Sequence, residues 1–322
     1  MRPVKVAVLS GGLSLERDVS LRSGARVAEA LADRGHSVTR LDLDDRLVPA
    51  LVNGDDEAVY LALHGKAGED GTIQGLLDLL GMPYTGPDAV ASALAWDKVV
   101  AKGVYRRGGV DTPDWVALSI DAIRDMGAVQ ALDRVTERLG TPVVVKPSHG
   151  GAALGVRLVP EASALPAALV AAYSYDDVVL IERFVEGVEV AVSIVGGDVL
   201  PPVEIAPRSG PYDFSARYTH GATEFHAPAR LPRDTLAACV AVGEAAWRLA
   251  GCRHVTRADM IVDRGGRPWL LELDTCPGMT ETSLLPMAAA AHGWSFADLC
   301  ERVLAEALAS AGLQADAAVT PP

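Results

Sequence analysis

At 322 residues, 49% of them apolar, the chain is long enough for a sizeable core and for two or three domains. Its 29 Lys and Arg against 42 Asp and Glu leave a net charge of −13, which argues against nucleic acid or an anionic membrane surface as the main partner. Four scattered cysteines, Cys239, Cys252, Cys276 and Cys300, offer neither metal-type spacing nor disulfide density, and fit a reducing cytoplasm.

The N-terminal MRP runs directly into VKVAVLS, with no signal-peptide pattern and no apolar run of membrane-spanning length, so a soluble cytoplasmic protein is expected. VKVAVLS, the Gly11-Gly12 pair and the periodic RDVSLRSGARVAEALADRGH predict strand, turn and helix. SVTRLDL and AVYLALHG continue the alternation, so residues 1–87 are expected to form a doubly wound α/β domain. SALAWDKVVAKGVYRRGGV predicts a helix. TPDWVAL, TPVVVKPSHGG, GVRLV and VVLIERFV read as strands with a helical VTERLG between them, which makes residues 88–181 a second, mixed unit. In residues 182–322, VEVAVSIVGG and DVLPPVEI predict strands, followed by an irregular polar loop and a helix around TLAACVAVGEAAWRLA. A hairpin, HVTRADMIVDRGGRPWLLELDTCPGMT, and a last helix, WSFADLCERVLAEALASA, complete the unit, with QADAAVTPP as a frayed tail. The fold class is α/β, turning α+β in the C-terminal part.

The hairpin carries the strongest chemistry. A tight turn at Gly265-Gly266 sets Asp259 opposite Glu272 and Arg257 opposite Asp274, all on one face. Ala258, Met260, Val262, Trp269, Leu271 and Leu273 then form the core face. Facing carboxylates repel and call for a cation, and three of them suit Mg²⁺, which uses one or two carboxylates together with substrate phosphates. An ordinary Arg-Asp cross-strand pair on a solvated face is the plainer alternative.

Phosphates need cations on close-approach backbone. In TPVVVKPSHGGAALGV, Lys146 ends a strand before a small-residue loop able to bring N–H groups against an anion, although no Walker spacing is present. Lys98 in AWDKVVAK is a weaker candidate, because a helix-surface lysine is usually solvated. Glu182 and Glu189 flank a strand end whose backbone suits a base and whose acid suits ribose hydroxyls; two exposed glutamates would look the same. Glu16 and His64 follow strands in loops, at the end of an α/β sheet where ligands bind.

The order GGLSLERDVSLRSG, ALHGKAGEDGTIQGLLDLLGMPYTG, DKVVAK, VVVKPS, IERFVEGVE, YDFSARY, RADM and LELDTCPGMTETSLLPM resembles the D-alanine:D-alanine ligase family of the ATP-grasp superfamily over nearly the whole chain. The resemblance implies an ATP-grasp fold, a homodimer, and peptide-bond formation between two D-alanines through an acyl phosphate, for peptidoglycan precursors. It implies ATP as co-substrate and two Mg²⁺, with Mn²⁺ as a substitute. By position, Lys98 and Lys146 would hold phosphates, Glu182, Phe184 and Val185 the adenine, Glu189 the ribose, and Asp259, Glu272 and Asp274 the metals. Arg257 and the Gly278 N–H would form an oxyanion site. Glu16 would anchor the first amino acid with His64 nearby, and Ser283 and Leu284 would contact the second. Arg217 and Tyr218 would close over the site and exclude water.

Four positions depart from the family pattern. Gly150 and Ala152 stand where an acid and a serine are usual, Asp274 where asparagine is usual, and Cys276 where serine is common. The missing serine removes a tie to Glu16 and Tyr218 worth roughly 0.5–1.5 kcal/mol. Two rival readings follow: a related ligase joining a different amino-acid or hydroxy-acid pair, and a nucleotide-binding pseudoenzyme. Intact Lys98, Lys146, Arg257, Asp259 and Glu272 count against the second.

Overall fold

The computed structural model describes residues 1–126, 128–210, 212, 216, 219 and 221–318. Three parallel strands, β1 (Lys5–Ser10), β2 (Ser37–Asp42) and β3 (Ala58–Leu61), lie in the order β2-β1-β3. Because successive strand side chains alternate, β1 sends Val6 and Val8 to one core and Ala7 and Leu9 to another. Ala7 and Leu9 meet Leu51, Ile73 and Leu77 from the helices Leu47–Asn53 and Thr72–Leu80. Val6 and Val8 belong to the same buried cluster as Val203 and Ile205, and as Leu299 and Val303 of the last helix, Phe296–Ala318. The first ninety residues thus share a core with the end of the chain. That last helix also runs on through the segment expected to fray, as far as Ala318.

The helix expected across residues 92–110 is two. Helix Ala89–Trp96 stops at Asp97, whose carboxylate caps the next helix, Lys98–Arg107, by accepting from Val99 N and Val100 N at 2.9 and 3.1 Å. A side-chain acceptor at this position satisfies donors that the new helix leaves free, so the break is built into the sequence.

Four antiparallel strands follow: β4 (Trp115–Ser119), β5 (Val143–Pro147), β6 (Arg157–Val159) and β7 (Val178–Arg183), in the order β4-β7-β5-β6. Val143, Val145, Val179 and Ile181 pack with Leu165 and Leu169 into a core of their own. The third sheet contains β8 (Gly187–Val195), β9 (Asp198–Val199), β10 (Val203–Pro207), β11 (Thr223–His226), β12 (Val255–Asp263) and β13 (Pro268–Asp274). Its order is β11-β10-β8-β12-β13, with β9 paired to β8. One face buries Val190, Val192, Met260 and Leu270 under helix Arg233–Ala250 and under Ala101 and Tyr105 of helix Lys98–Arg107.

The hairpin register is right where the chemistry lies and wrong beyond it. Arg257 pairs with Asp274 and Asp259 with Glu272, as expected, but Met260 pairs with Leu270, so the ladder slips by one at a bulge. At the turn, Asp263 N donates to Arg267 O and Gly266 takes φ +81°, which makes a three-residue loop ending in a left-handed glycine. The turn offset and the bulge cancel at the acidic end. Between them Leu270 is fully buried, whereas Trp269 and Leu271 are half-buried and leave the core face to which the sequence assigned them. Leu271 points to the cleft face with Ile261. Leu270→Ala is therefore expected to cost about 2–5 kcal/mol in urea unfolding, and Leu271→Ala less than about 1 kcal/mol. Equal losses would contradict the slipped register.

Candidate active site

Two adjoining cavities meet where the three sheets approach one another, and Lys98, Gly150, Gly151, Tyr212 and Glu272 line both. The first opens toward Glu16, His64, Arg257, Asp274, Gly278 and Ser283. The second runs along Lys146, Glu182, Phe184, Val185, Glu189 and Leu271. Every expected site residue within the described residues lines one cavity or the other, Asp259 excepted, which lies behind Arg257. Arg217 and Tyr218 fall outside the described residues.

Glu16 is buried at the start of helix Arg17–Asp33, with its backbone N–H donating to Ser14 Oγ at 3.1 Å. Its carboxylate lies against the backbone of two loops: a Cβ added at Gly65 or Gly151 would fall 3.0 or 3.1 Å from Glu16 Oε2. Gly65 is fixed doubly, since its φ of +77° also disfavours a side chain. His64 is buried, with Nε2 3.1 Å from Ser23 Oγ and Nδ1 3.8 Å from Glu69 Oε1. Burial opposes charge on the imidazole, but Glu69, with Glu16 and Asp274 beyond it, outweighs burial and raises its pKa. Burial in turn raises the Glu69 carboxyl above its ordinary range. Glu69 was missed in the sequence, although it stands five residues after His64 in HGKAGED.

Arg257, 8% exposed, fills the gap between the carboxylates. Its Nε and Nη2 donate to the two oxygens of Asp259 at 2.7 and 2.8 Å, and Nη1 lies 2.8 Å from Asp274 Oδ2. Burial would lower its pKa, but the two aspartates more than compensate and raise it well above the ordinary value. Lys98, expected to be solvated if structural, is 8% exposed instead; Nζ donates to Gly150 O at 2.7 Å and lies 3.1 Å from Glu272 Oε2.

The carboxylates are thus turned onto protein cations. Among the described residues, no three His, Cys, Asp or Glu side chains converge so as to hold a metal unaided. The cation demanded by the facing acids is supplied here by Arg257 and Lys98. The donor set still fits a hard ion: Asp259, Glu272 and Asp274 offer only oxygens, and Mg²⁺ completes its shell with phosphate. That set is not a preformed cage.

Glu182, 2% exposed, is likewise not a side chain reaching for a base. Lys146 Nζ lies 2.5 Å from its Oε2, and Lys102 Nζ pairs with its Oε1. Burial disfavours the carboxylate, but the two lysines overcome that and lower its pKa. The backbone of Glu182 and its neighbours borders the cavity. Lys102 was missed because a lysine on a helix reads as solvated.

Gly278 lies tight against the next turn: a Cβ there would come 2.7 Å from Ser283 Oγ. Ser283 precedes helix Leu284–Ala291 and its hydroxyl accepts from Thr280 N at 3.0 Å. Met279 N donates to Ser23 Oγ at 3.2 Å, and Arg26 to Met279 O, which ties this loop to the first sheet's helix. Cys276 is buried, its thiol donating to Leu61 O at 3.5 Å, and burial raises its pKa well above the ordinary value. It is a packing residue. In the departing loop, Ala152 and Ala153 both take left-handed φ, +49° and +55°, and Gly150 has nothing within 4 Å of where a Cβ would stand.

The sequence profile described as D-ala D-ala ligase C-terminus matches residues 104–305, and the one described as D-ala D-ala ligase N-terminus matches residues 48–87. The chain is 44% identical over 300 residues to a D-alanine–D-alanine ligase of Anaeromyxobacter sp. (strain Fw109-5), covering 93% of this chain and 96% of that one. It superposes on the crystal structure of a D-alanine–D-alanine ligase from Bacillus anthracis with a TM-score of 0.85 and 32% identity, over 97% of this chain and 99% of the other. With the structure of the Bacillus anthracis ligase complexed with ATP, the TM-score is 0.83 and the identity 30%, over the same shares.

Proposed function

Since the chain belongs to the D-alanine–D-alanine ligase family and has its ATP-grasp fold, we propose that it is an ATP-dependent ligase joining two D-alanines. The observation that carries this reading is the Lys98–Glu272 pair, 3.1 Å apart at the junction of the two cavities. A phosphoryl group at that junction could reach a carboxylate in the first cavity from a nucleotide in the second.

In this reading the nucleotide lies along β7 and β8, with its base against the backbone of Glu182–Val185 and against Leu271, and its ribose at Glu189. Lys146 and Lys98 hold the phosphates, and Lys98 exchanges Glu272 for phosphate oxygen. Mg²⁺, when bound, neutralises phosphate charge, and Asp259, Glu272 and Asp274 are the side chains to hold it, with Mn²⁺ able to substitute. Glu16 pairs with the ammonium of the first D-alanine, beside His64. The carboxylate oxygen of that first D-alanine attacks the γ-phosphorus, the bond to the bridging oxygen breaks, ADP leaves, and an acyl phosphate forms. The free amine of the second D-alanine, oriented by Ser283 and Leu284, attacks the acyl carbon. Arg257 and the Gly278 N–H stabilise the tetrahedral oxyanion until the attacking nitrogen loses a proton, phosphate is expelled and the peptide bond remains. Arg217 and Tyr218 close the site against water.

The same reading assigns residues 1–87, 88–181 and 182–322 as domains, a homodimer as the assembly, and the cytoplasm and peptidoglycan precursor synthesis as its setting. No described helix is long and apolar enough to cross a membrane. The test is phosphate release with ATP, Mg²⁺ and a panel of D- and L-amino acids, with products identified by mass. D-alanine-dependent release accompanied by D-alanyl-D-alanine is expected; release only with another pair would overturn the substrate assignment.

A further inference from the structure

Helix Lys98–Arg107 carries three cations at intervals of four residues, Lys98, Lys102 and Arg106, which a helix stacks on one face about 6 Å apart. Each meets a different part of the cleft wall. Lys98 stands at the junction of the cavities, as described. Arg106 donates to Asp114 at 2.9 Å and lies 4.1 Å from the Trp115 ring centroid. Lys102, between them, has no exposed surface; it bonds to Thr112 Oγ1, lies 5.2 Å from the Trp115 centroid and pairs with Glu182.

Lys102 and Glu182 belong to different cores. Ala101 and Tyr105, flanking Lys102, pack beneath the third sheet, whereas Ile181, next to Glu182, packs inside the four-stranded sheet. The ion pair therefore straddles two bodies. Glu182 is also the partner of Lys146, and its backbone leads into Arg183–Val185 at the cleft lip, where Arg183 N donates to Asp114 O at 2.8 Å and Phe184 N to Pro142 O at 3.2 Å.

We propose that Lys102, which cannot touch a ligand, is a positioning residue for the nucleotide: by holding Glu182 across the two bodies it fixes Lys146 and the base-docking edge of β7. With Lys102 charged, the group of two lysines and one glutamate carries a net positive charge behind the cleft wall. Without it, Glu182 neutralises Lys146 and the wall loses its attraction for phosphate. The titratable groups facing Lys102 are Glu182 of β7, Lys146 of β5 and Arg106 of its own helix. Burial lowers the Lys102 ammonium to about 8, with Glu182 opposing the fall and Lys146 and Arg106 adding to it. One anion shared by two cations holds each proton less firmly than a private pair would.

The inference rests on the nucleotide reading of the cleft, and the two fail differently. ATP binding is measured by calorimetry without amino acids, and KM for ATP and kcat are measured in steady state. A wild-type chain that binds no ATP would sink the nucleotide reading itself. If it binds, Lys102→Met is expected to weaken ATP binding and raise its KM about tenfold while kcat stays within about twofold, the signature of lost uniform binding. Lys102→Arg should keep most of the affinity. Wild-type affinity should fall as pH rises through about 8, where the ammonium loses its proton, and the arginine variant should not show that fall. Unchanged ATP affinity in Lys102→Met overturns the proposal. If that variant does not fold, a wild-type affinity that stays flat between roughly pH 7 and 9.5 overturns it.

Discussion

Replacing Glu272 by glutamine is expected to lower turnover about 10³-fold, equivalent to about 4 kcal/mol of transition-state stabilisation, while leaving unfolding free energy within about 1 kcal/mol. Glu272 faces Asp259 across the hairpin and Lys98 from the side, with 29% of its side chain exposed at the junction of the cavities. An amide keeps the shape and removes the charge. The fold loses little because the Glu272 end of the pair is partly in solvent, Lys98 keeps its bond to Gly150 O, and repulsion from Asp259 is relieved. Turnover loses much, because a neutral amide holds a divalent ion weakly and no longer steers Lys98. Near-normal turnover, measured by phosphate release, would remove Glu272 from the chemistry.

Arg257→Met is expected to cost about 3–5 kcal/mol of stability without metal, because it leaves Asp259 and Asp274 buried or half-buried without their cation. Mg²⁺ then becomes a replacement counter-charge for the two aspartates. At ten times its dissociation constant it should restore about 1.4 kcal/mol in urea unfolding, with far less gain for the wild type, whose carboxylates are already paired. Turnover should be lost together with the oxyanion donor. Wild-type stability in the metal-free variant would mean that Arg257 is not the cation that Asp259 and Asp274 depend on.

Much of the site was legible because strands impose a period of two. Arg257, Asp259, Glu272 and Asp274 share a face by that period, and the expected facing pairs survive because the bulge offsets the longer turn. Their environment was not legible. What the sequence did not show is that Arg257 reaches two residues along its own strand and that Lys98 comes in from a helix over 150 residues earlier. Leu271 was misplaced because a one-residue bulge leaves no mark in apolar alternation. Lys102 and Lys98 were under-read because burial of a helical lysine is decided by an acid far away in sequence, Glu182 or Glu272, and not by its neighbours. The α/β opening was legible from β1 and its helix, but not that Val6 and Val8 would pack on residues near the other end of the chain.

That shared interior makes the first sheet, the third sheet and the last helix one rigid frame. The four-stranded sheet has a separate interior, and the chain enters and leaves it at residues 108–114 and 184–186. Any swing that admits or releases a large ligand must bend at those two stretches, and stiffening either should slow exchange without altering the chemistry it serves.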